Sequence, residues 1–185
     1  MAHLTDRDPT YLRVLEAFGH YGFRKASMDD LARAAGVSRQ TLYNRFGGKE
    51  GVLDWAIDGY VTQSEAAALA ALDGKPADLA SRLTGFFAQW LGSSVEFLRT
   101  APHGAEIFEL GKQARARLRP DPDEACTTAL VAALEGEGRF GHEAAREAGY
   151  VMMMASKGLL LGARDTDAYA AGMRRVIGFL LAARV

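Results

Sequence analysis

Gly36-Val37-Ser38-Arg39-Gln40-Thr41-Leu42-Tyr43-Asn44-Arg45-Phe46-Gly47-Gly48-Lys49-Glu50-Gly51-Val52-Leu53 is the stretch on which the fold turns. Ser38 is a natural N-cap, because its hydroxyl can accept a free backbone N–H at a helix start. Leu42 and Phe46 lie four apart, so they share one face and can anchor the helix to a core. Arg39, Gln40, Tyr43 and Asn44 then fall together on the opposite side. Arg pairs with guanine edges, and Gln and Asn pair with adenine edges. Arg39, Gln40 and Asn44 are therefore the candidate base contacts. Thr41, Tyr43 and Arg45 flank them with groups suited to phosphate oxygens, which position a protein on DNA without specifying sequence. Such a helix suits a major groove and suits catalysis poorly.

The neighbouring segments support a helix-turn-helix. A first helix is predicted from about Pro9 to Tyr21, with Leu12, Leu15, Phe18 and Gly19 as its inward stripe and Gly22 as its stop. A second starts after Ser27, which with Asp30 makes a capping-box-like pair. Ser27 is also a candidate phosphate donor. Gly47-Gly48 breaks the chain before a long helix from Lys49 to about Ala71. A cation such as Lys49 in a first turn opposes the helix dipole, and a DNA phosphate held at that same N-terminus would resolve the conflict.

Composition sets the wider bounds. The 185 residues suffice for one or two small domains, and 49% of them are apolar. The formal net charge is only −1, unevenly spread: residues 1–50 hold eight Lys/Arg against six Asp/Glu, which leaves 14 against 17 for the rest. That pattern fits a DNA-facing head on an acidic body. A lone Cys126 excludes an intrachain disulfide and a cysteine metal cluster. Nothing calls for a cofactor or metal. Met1 to Pro9 is polar and reads as no signal peptide, and the apolar stretch Tyr150 to Ala163 is too short to span a bilayer, so a cytoplasmic protein with no membrane contact is expected.

Beyond residue 72 helical periodicity persists and strand alternation is absent. Helices are expected from about Ala77 to Leu91, with Gly92 to Arg99 either extending it or separate, then from Ala101 to Gly111, Asp121 to Glu135, Glu143 to Ala163 and Asp167 to Ala183, about nine in all. Arg115 to Pro120 reads as helix end plus loop. Ala144, Ala148, Val151, Ala155, Gly158 and Gly162 form a small-residue stripe that lets another helix approach. Met173, Ile177 and Leu180 line the last helix. Ala148, Val151, Ala155, Gly158, Gly162, Met173, Ile177 and Leu180 are the expected homodimer contacts, in a four-helix interface; completion of the monomer core is the competing reading. Trp55, Tyr60, Phe86, Phe87, Trp90, Phe97 and Phe108, with His103 and Cys126, are candidates for a mostly apolar ligand pocket, although aromatics at helical spacing usually make core. Gly136 to Gly141 fits the spacing G-x-G-x-x-G but follows a helix, so the dinucleotide reading lacks its context. His142-Glu143 has no second histidine, and no nucleophile elbow is present.

The first 55 residues resemble the tetracycline-repressor (TetR) family of bacterial transcription regulators. The likeness rests on Ala17-Phe18, Gly22-Phe23, Ser27-Met28-Asp29-Asp30-Leu31-Ala32, Gly36-Val37-Ser38, Thr41-Leu42-Tyr43, Phe46, Lys49-Glu50 and Leu53. It implies an all-α homodimer with two three-helix heads and a larger regulatory body, in which a small-molecule effector loosens DNA binding. Gly48 departs from the usual Ser or Thr cap, and Asn44-Arg45 replaces more usual His or Tyr residues, so no operator sequence carries over. The expectation is a DNA-binding head at 1–48, a ligand-binding and dimerisation body at 49–185, and repression of transcription without enzymatic activity. A ligand-independent dimeric regulator, or a small helical enzyme or carrier, are the alternatives.

Overall fold

Caps and left-handed glycines put the helix ends where they fall. The computed structural model describes residues 10–74, 78–116, 121–138 and 140–182. Its helices are α1 (Thr10–Tyr21), α2 (Met28–Ala35), α3 (Arg39–Phe46), α4 (Lys49–Leu72), α5 (Leu79–Phe87), α6 (Ser93–Thr100), α7 (Gly104–Arg115), α8 (Pro122–Glu135), α9 (His142–Gly162) and α10 (Thr166–Ala182). The described residues contain no strand, and the chain is all-α as expected. Pro9, residues 75–77 and residues 117–120 lie outside the described residues, so the expected first-turn proline and the loop before Asp121 are not placed. Residues 92–99 neither simply extend α5 nor stand apart: a single π-helical turn, Ala88–Gly92, joins α5 to α6. The helix expected from Ala101 begins at Gly104 and runs on to Arg115.

Packing divides the chain into two compact units, Met1–Gln63 with Phe97–Arg119, and Ser64–Glu96 with Pro120–Val185. The expected head, 1–48, lies inside the first. Its core gathers Val14, Leu15 and Phe18 of α1, Leu31, Ala32 and Ala35 of α2, and Leu42 of α3. Ile107 and Ala114 of α7 are also buried. Close approach explains a glycine in α1: a Cβ on Gly19 would stand 2.7 Å from the Phe97 ring. The His103 backbone N–H reaches the Gly19 carbonyl at 2.8 Å, tying the start of α7 to the end of α1.

In the second unit Phe86 and Phe87 meet edge to face at 4.9 Å and are fully buried beside Leu83, Leu130, Leu134 and Met152. The π turn is clamped from α10. Tyr169 donates its hydroxyl to the Phe87 carbonyl at 3.2 Å, and the Ser156 hydroxyl lies 2.7 Å from the Tyr169 phenol oxygen. A phenol has one proton to give, so Ser156 is the donor of that second bond. Burial pushes the Tyr169 phenol up to about 12.

Three of the expected dimer contacts belong to this core. Met173 and Ile177 are almost wholly covered by the chain's own side chains and have no surface left for a partner. Ala148 is buried too, whereas Val151, Gly158 and Gly162 are exposed. The uncovered apolar side chains are others: Tyr150, Met154 and Leu161 beside Val151 on α9, and Phe179, 75% exposed, on α10.

Candidate nucleic-acid interface

The turn between α2 and α3 is built by Gly36. Its φ of 69° is left-handed, a conformation glycine adopts without Cβ strain. The Gly36 and Val37 N–H groups both close on the Ala32 carbonyl, so α2 ends at once. Ser38 then caps α3, accepting the Thr41 N–H at 3.0 Å, and its hydroxyl also lies 2.8 Å from the Thr41 hydroxyl. Gly47 at φ 73° stops α3 after two turns. Leu42 is the one fully buried residue of that helix. Phe46 stacks on Trp55 of α4 at 4.9 Å. Gly51, which the sequence did not single out, is required by close packing: a Cβ there would collide with the Phe46 carbonyl oxygen.

Everything else on α3 faces outward. Arg39, Gln40, Thr41, Tyr43, Asn44 and Arg45 are all exposed. They do not wait as loose side chains. Gln40 donates to the Asn44 side-chain oxygen at 2.6 Å, one turn along. Arg39 pairs with Asp29 of α2 at 3.1 Å. The Arg45 guanidinium lies 5.3 Å from the centre of the Phe46 ring.

The two candidates at helix N-termini both have partners within the chain, and for Ser27 the partner is the expected one. Ser27 and Asp30 form the full capping box: Asp30 accepts the Ser27 N–H at 3.1 Å and its hydroxyl at 2.5 Å, and Ser27 accepts the Asp30 N–H at 3.2 Å. Those Ser27 bonds, with Arg33 nearby, hold the Asp30 carboxyl below the usual carboxylate range. The Ser27 proton is therefore given to a carboxylate, not held out for a phosphate. Lys49 reaches back to the Phe23 and Arg24 carbonyl oxygens at 2.8 and 3.0 Å and lies 5.0 Å from the Phe23 ring centre. The conflict with the α4 dipole is met inside the chain, and one of the three ammonium donors remains.

The pocket candidates are divided between the two compact units. Trp55, Tyr60, Phe97, His103 and Phe108 fall in the first compact unit, and Phe86, Phe87, Trp90 and Cys126 in the second. Phe86, Phe87, Trp90 and Cys126 are buried core. His103 is partly exposed and pairs with Glu106 at 3.2 Å. An open groove of about 450 Å³ in the second unit is lined by Ala80, Ser81, Thr84, Arg174, Ile177 and Gly178, none of them among the nine. Gly136 to Gly141 connects two helices, so a strand-to-helix phosphate loop is not formed there.

Residues 15–55 match the family model described as bacterial regulatory proteins, tetR family. That match spans the helix-turn-helix and the start of α4. The chain is 34% identical over 61 residues to the uncharacterized HTH-type transcriptional regulator YezE of Bacillus subtilis, a match covering 33% of this chain and 31% of that protein. The whole TetR-like fold is shared more widely. The chain is similar to PfmR of Thermus thermophilus, a TetR family transcriptional regulator, with 21% identity, a TM-score of 0.63, and 94% and 97% of the two chains covered. It is also similar to a cysteine mutant of the TetR family regulator CifR solved with 26-base-pair operator DNA, with 18% identity, a TM-score of 0.58, and 96% and 98% covered. At these identities the likeness to solved structures concerns the fold. None of the described helices is long and apolar enough to cross a membrane.

Proposed function

We propose that the protein is a sequence-specific transcriptional repressor that binds operator DNA as a homodimer and leaves it when a small, largely apolar effector binds. The head is 1–48 and the effector-binding and dimerising body 49–185. The observation that carries the reading is the outward row on α3, where Arg39, Gln40 and Asn44 stand exposed above a single buried anchor, Leu42. Arg39 and Gln40 read bases, with Asn44 beside them, while Thr41, Tyr43 and Arg45 meet phosphates. Lys49 adds its remaining N–H, and Ser27 contributes only if its hydroxyl turns from Asp30.

Dimerisation is supported by the uncovered apolar side chains of α9 and α10. Tyr150 and Leu161 are each 60% exposed, and no neighbouring atom lies within 4 Å of a Cβ built on Gly158, Gly162 or Gly178. Bare glycine beside large apolar side chains suits a second helix pair. Two reading helices must match half-sites about one DNA turn apart, roughly 34–36 Å, so a shift of a few ångström weakens binding. An effector that prefers the shifted state releases the operator without dissolving the dimer.

The test starts by selecting a duplex from a randomised pool with wild-type protein, then measuring affinity and sedimentation. Leu161→Asp with Phe179→Asp should sediment as a folded monomer and bind the selected duplex at least about tenfold more weakly, since each half-site is then bought separately. A monomeric wild type, or one that enriches no sequence, would refute the reading.

A further inference from the structure

An ion pair on the reading surface has no evident structural task. Arg39 opens α3, and its Nη1 lies 3.1 Å from the Asp29 carboxylate of α2. The side chains are 63% and 58% exposed, so the pair adds little to stability. Its cost toward DNA is plain, because a carboxylate on a surface meant for a polyanion lowers attraction to every sequence.

The geometry points to Asp29 as a positioning residue for sequence discrimination, an inference that rests on the DNA-reading function above. Arginine opposes the helix dipole in a first turn, so an unheld Arg39 would drift to the nearest phosphate, which carries no sequence information. Held through Nη1, the guanidinium keeps its Nε–Nη2 edge for a base. Two parallel N–H groups are what the O6 and N7 acceptors of guanine require. The Gln40–Asn44 bond restrains the neighbouring amides in the same manner. Asp29 thus gives up general affinity and gains a fixed direction for Arg39.

The experiment uses the duplex selected by wild-type protein, single substitutions at each of its guanines, and an unrelated duplex, each over a salt series. Asp29→Asn should bind the unrelated duplex roughly threefold more tightly, with a steeper salt dependence. It should also lose about tenfold in discrimination at one guanine, the same one at which Arg39→Ala loses it. In the Arg39→Ala background Asp29→Asn should change discrimination no further, and Asp29→Glu should keep most of it. If Asp29→Asn strengthens both duplexes equally, Asp29 is only background charge and the proposal fails. If it weakens both equally with lost helicity, Asp29 is only a first-turn stabiliser of α2, and the proposal fails again. A wild type that enriches no sequence brings down the DNA-reading function itself, whereas enrichment with unchanged discrimination in Asp29→Asn overturns Asp29 alone.

Discussion

Helices α3 and α9 each leave a broad face uncovered, and the two faces are opposites. On α3 the outward side chains are polar and largely tied to one another or to α2. On α9 they are Tyr150, Val151, Met154 and Leu161, with Gly158 between them. A polar face is stable in water and gains a partner only by matching its donors and acceptors, so it yields selectivity. An apolar face gains roughly 25 cal/mol for each Å² removed from water, with no demand on direction, so it yields strength. On the function proposed above, the difference separates two tasks: choosing a sequence and joining two copies.

The strongest way to break that separation is at Leu42. It is fully buried beneath the reading face and belongs to the first compact unit, whereas α9 belongs to the second. Leu42→Ala should cost about 2–5 kcal/mol within the helix-turn-helix, since a buried leucine leaves both lost transfer energy and a cavity. The expected outcome is loss of binding to the selected duplex at 37 °C, an early calorimetric transition, and an unchanged dimer in sedimentation. Loss of the dimer in the same variant would mean that the two faces do not work separately.

The head was legible in the sequence because its signals are local. Ser27 with Asp30, Gly36, Ser38 and Gly47 each act on the backbone within four residues, so type and spacing dictate the geometry. The face proposed for dimerisation was less legible. A stripe of small residues from Ala148 to Gly162 has the same period whether it faces inward or outward, and only packing decides. Ala148, Met173 and Ile177 went to the core, while Tyr150, Met154, Leu161 and Phe179 stayed outside. A 150, 154, 158, 161 spacing was there to be read, but an apolar residue on a helix is by default taken as buried. The expected ligand pocket was the least legible, because aromatic residues look alike as core and as lining. The Lys49 contacts were not legible for a further reason: a charge on one helix can be satisfied by a residue 26 positions away, as Lys49 is by Phe23.

The α9 side of the comparison is sharpened at Tyr169, whose hydroxyl sits between Ser156 of α9 and the Phe87 carbonyl at the π turn. Tyr169→Phe leaves both partners buried without this bond, which should cost about 1–3 kcal/mol of unfolding free energy. Alkaline denaturation gives the sign. The phenol's folded value of about 12 lies above the unfolded value of 10, so its contribution is complete below pH 10 and is lost as the pH climbs to 12. Wild-type protein should lose stability across that window, and Tyr169→Phe should lose less of it. Reading of the selected duplex at neutral pH should change little, because α3 and this network belong to different compact units. A collapse of sequence discrimination in Tyr169→Phe would show that the two regions are coupled through the core.

The smallest expected effect tests whether the polar face extends beyond α3. Lys49 begins α4 and spends two donors on the Phe23 and Arg24 carbonyl oxygens. Replacing it with Met keeps the apolar stem over Phe23 and removes the charge. Tm should fall by a few degrees, because two hydrogen bonds from a charged donor are lost from the head. Salt dependence then decides its second task. If the third donor meets a phosphate, the slope of log affinity against log salt falls by about 1, and it does so equally for selected and unrelated duplexes. If the slope stays at its wild-type value while Tm falls, Lys49 is a clasp between α4 and the α1–α2 turn, and phosphate contact ends at Arg45.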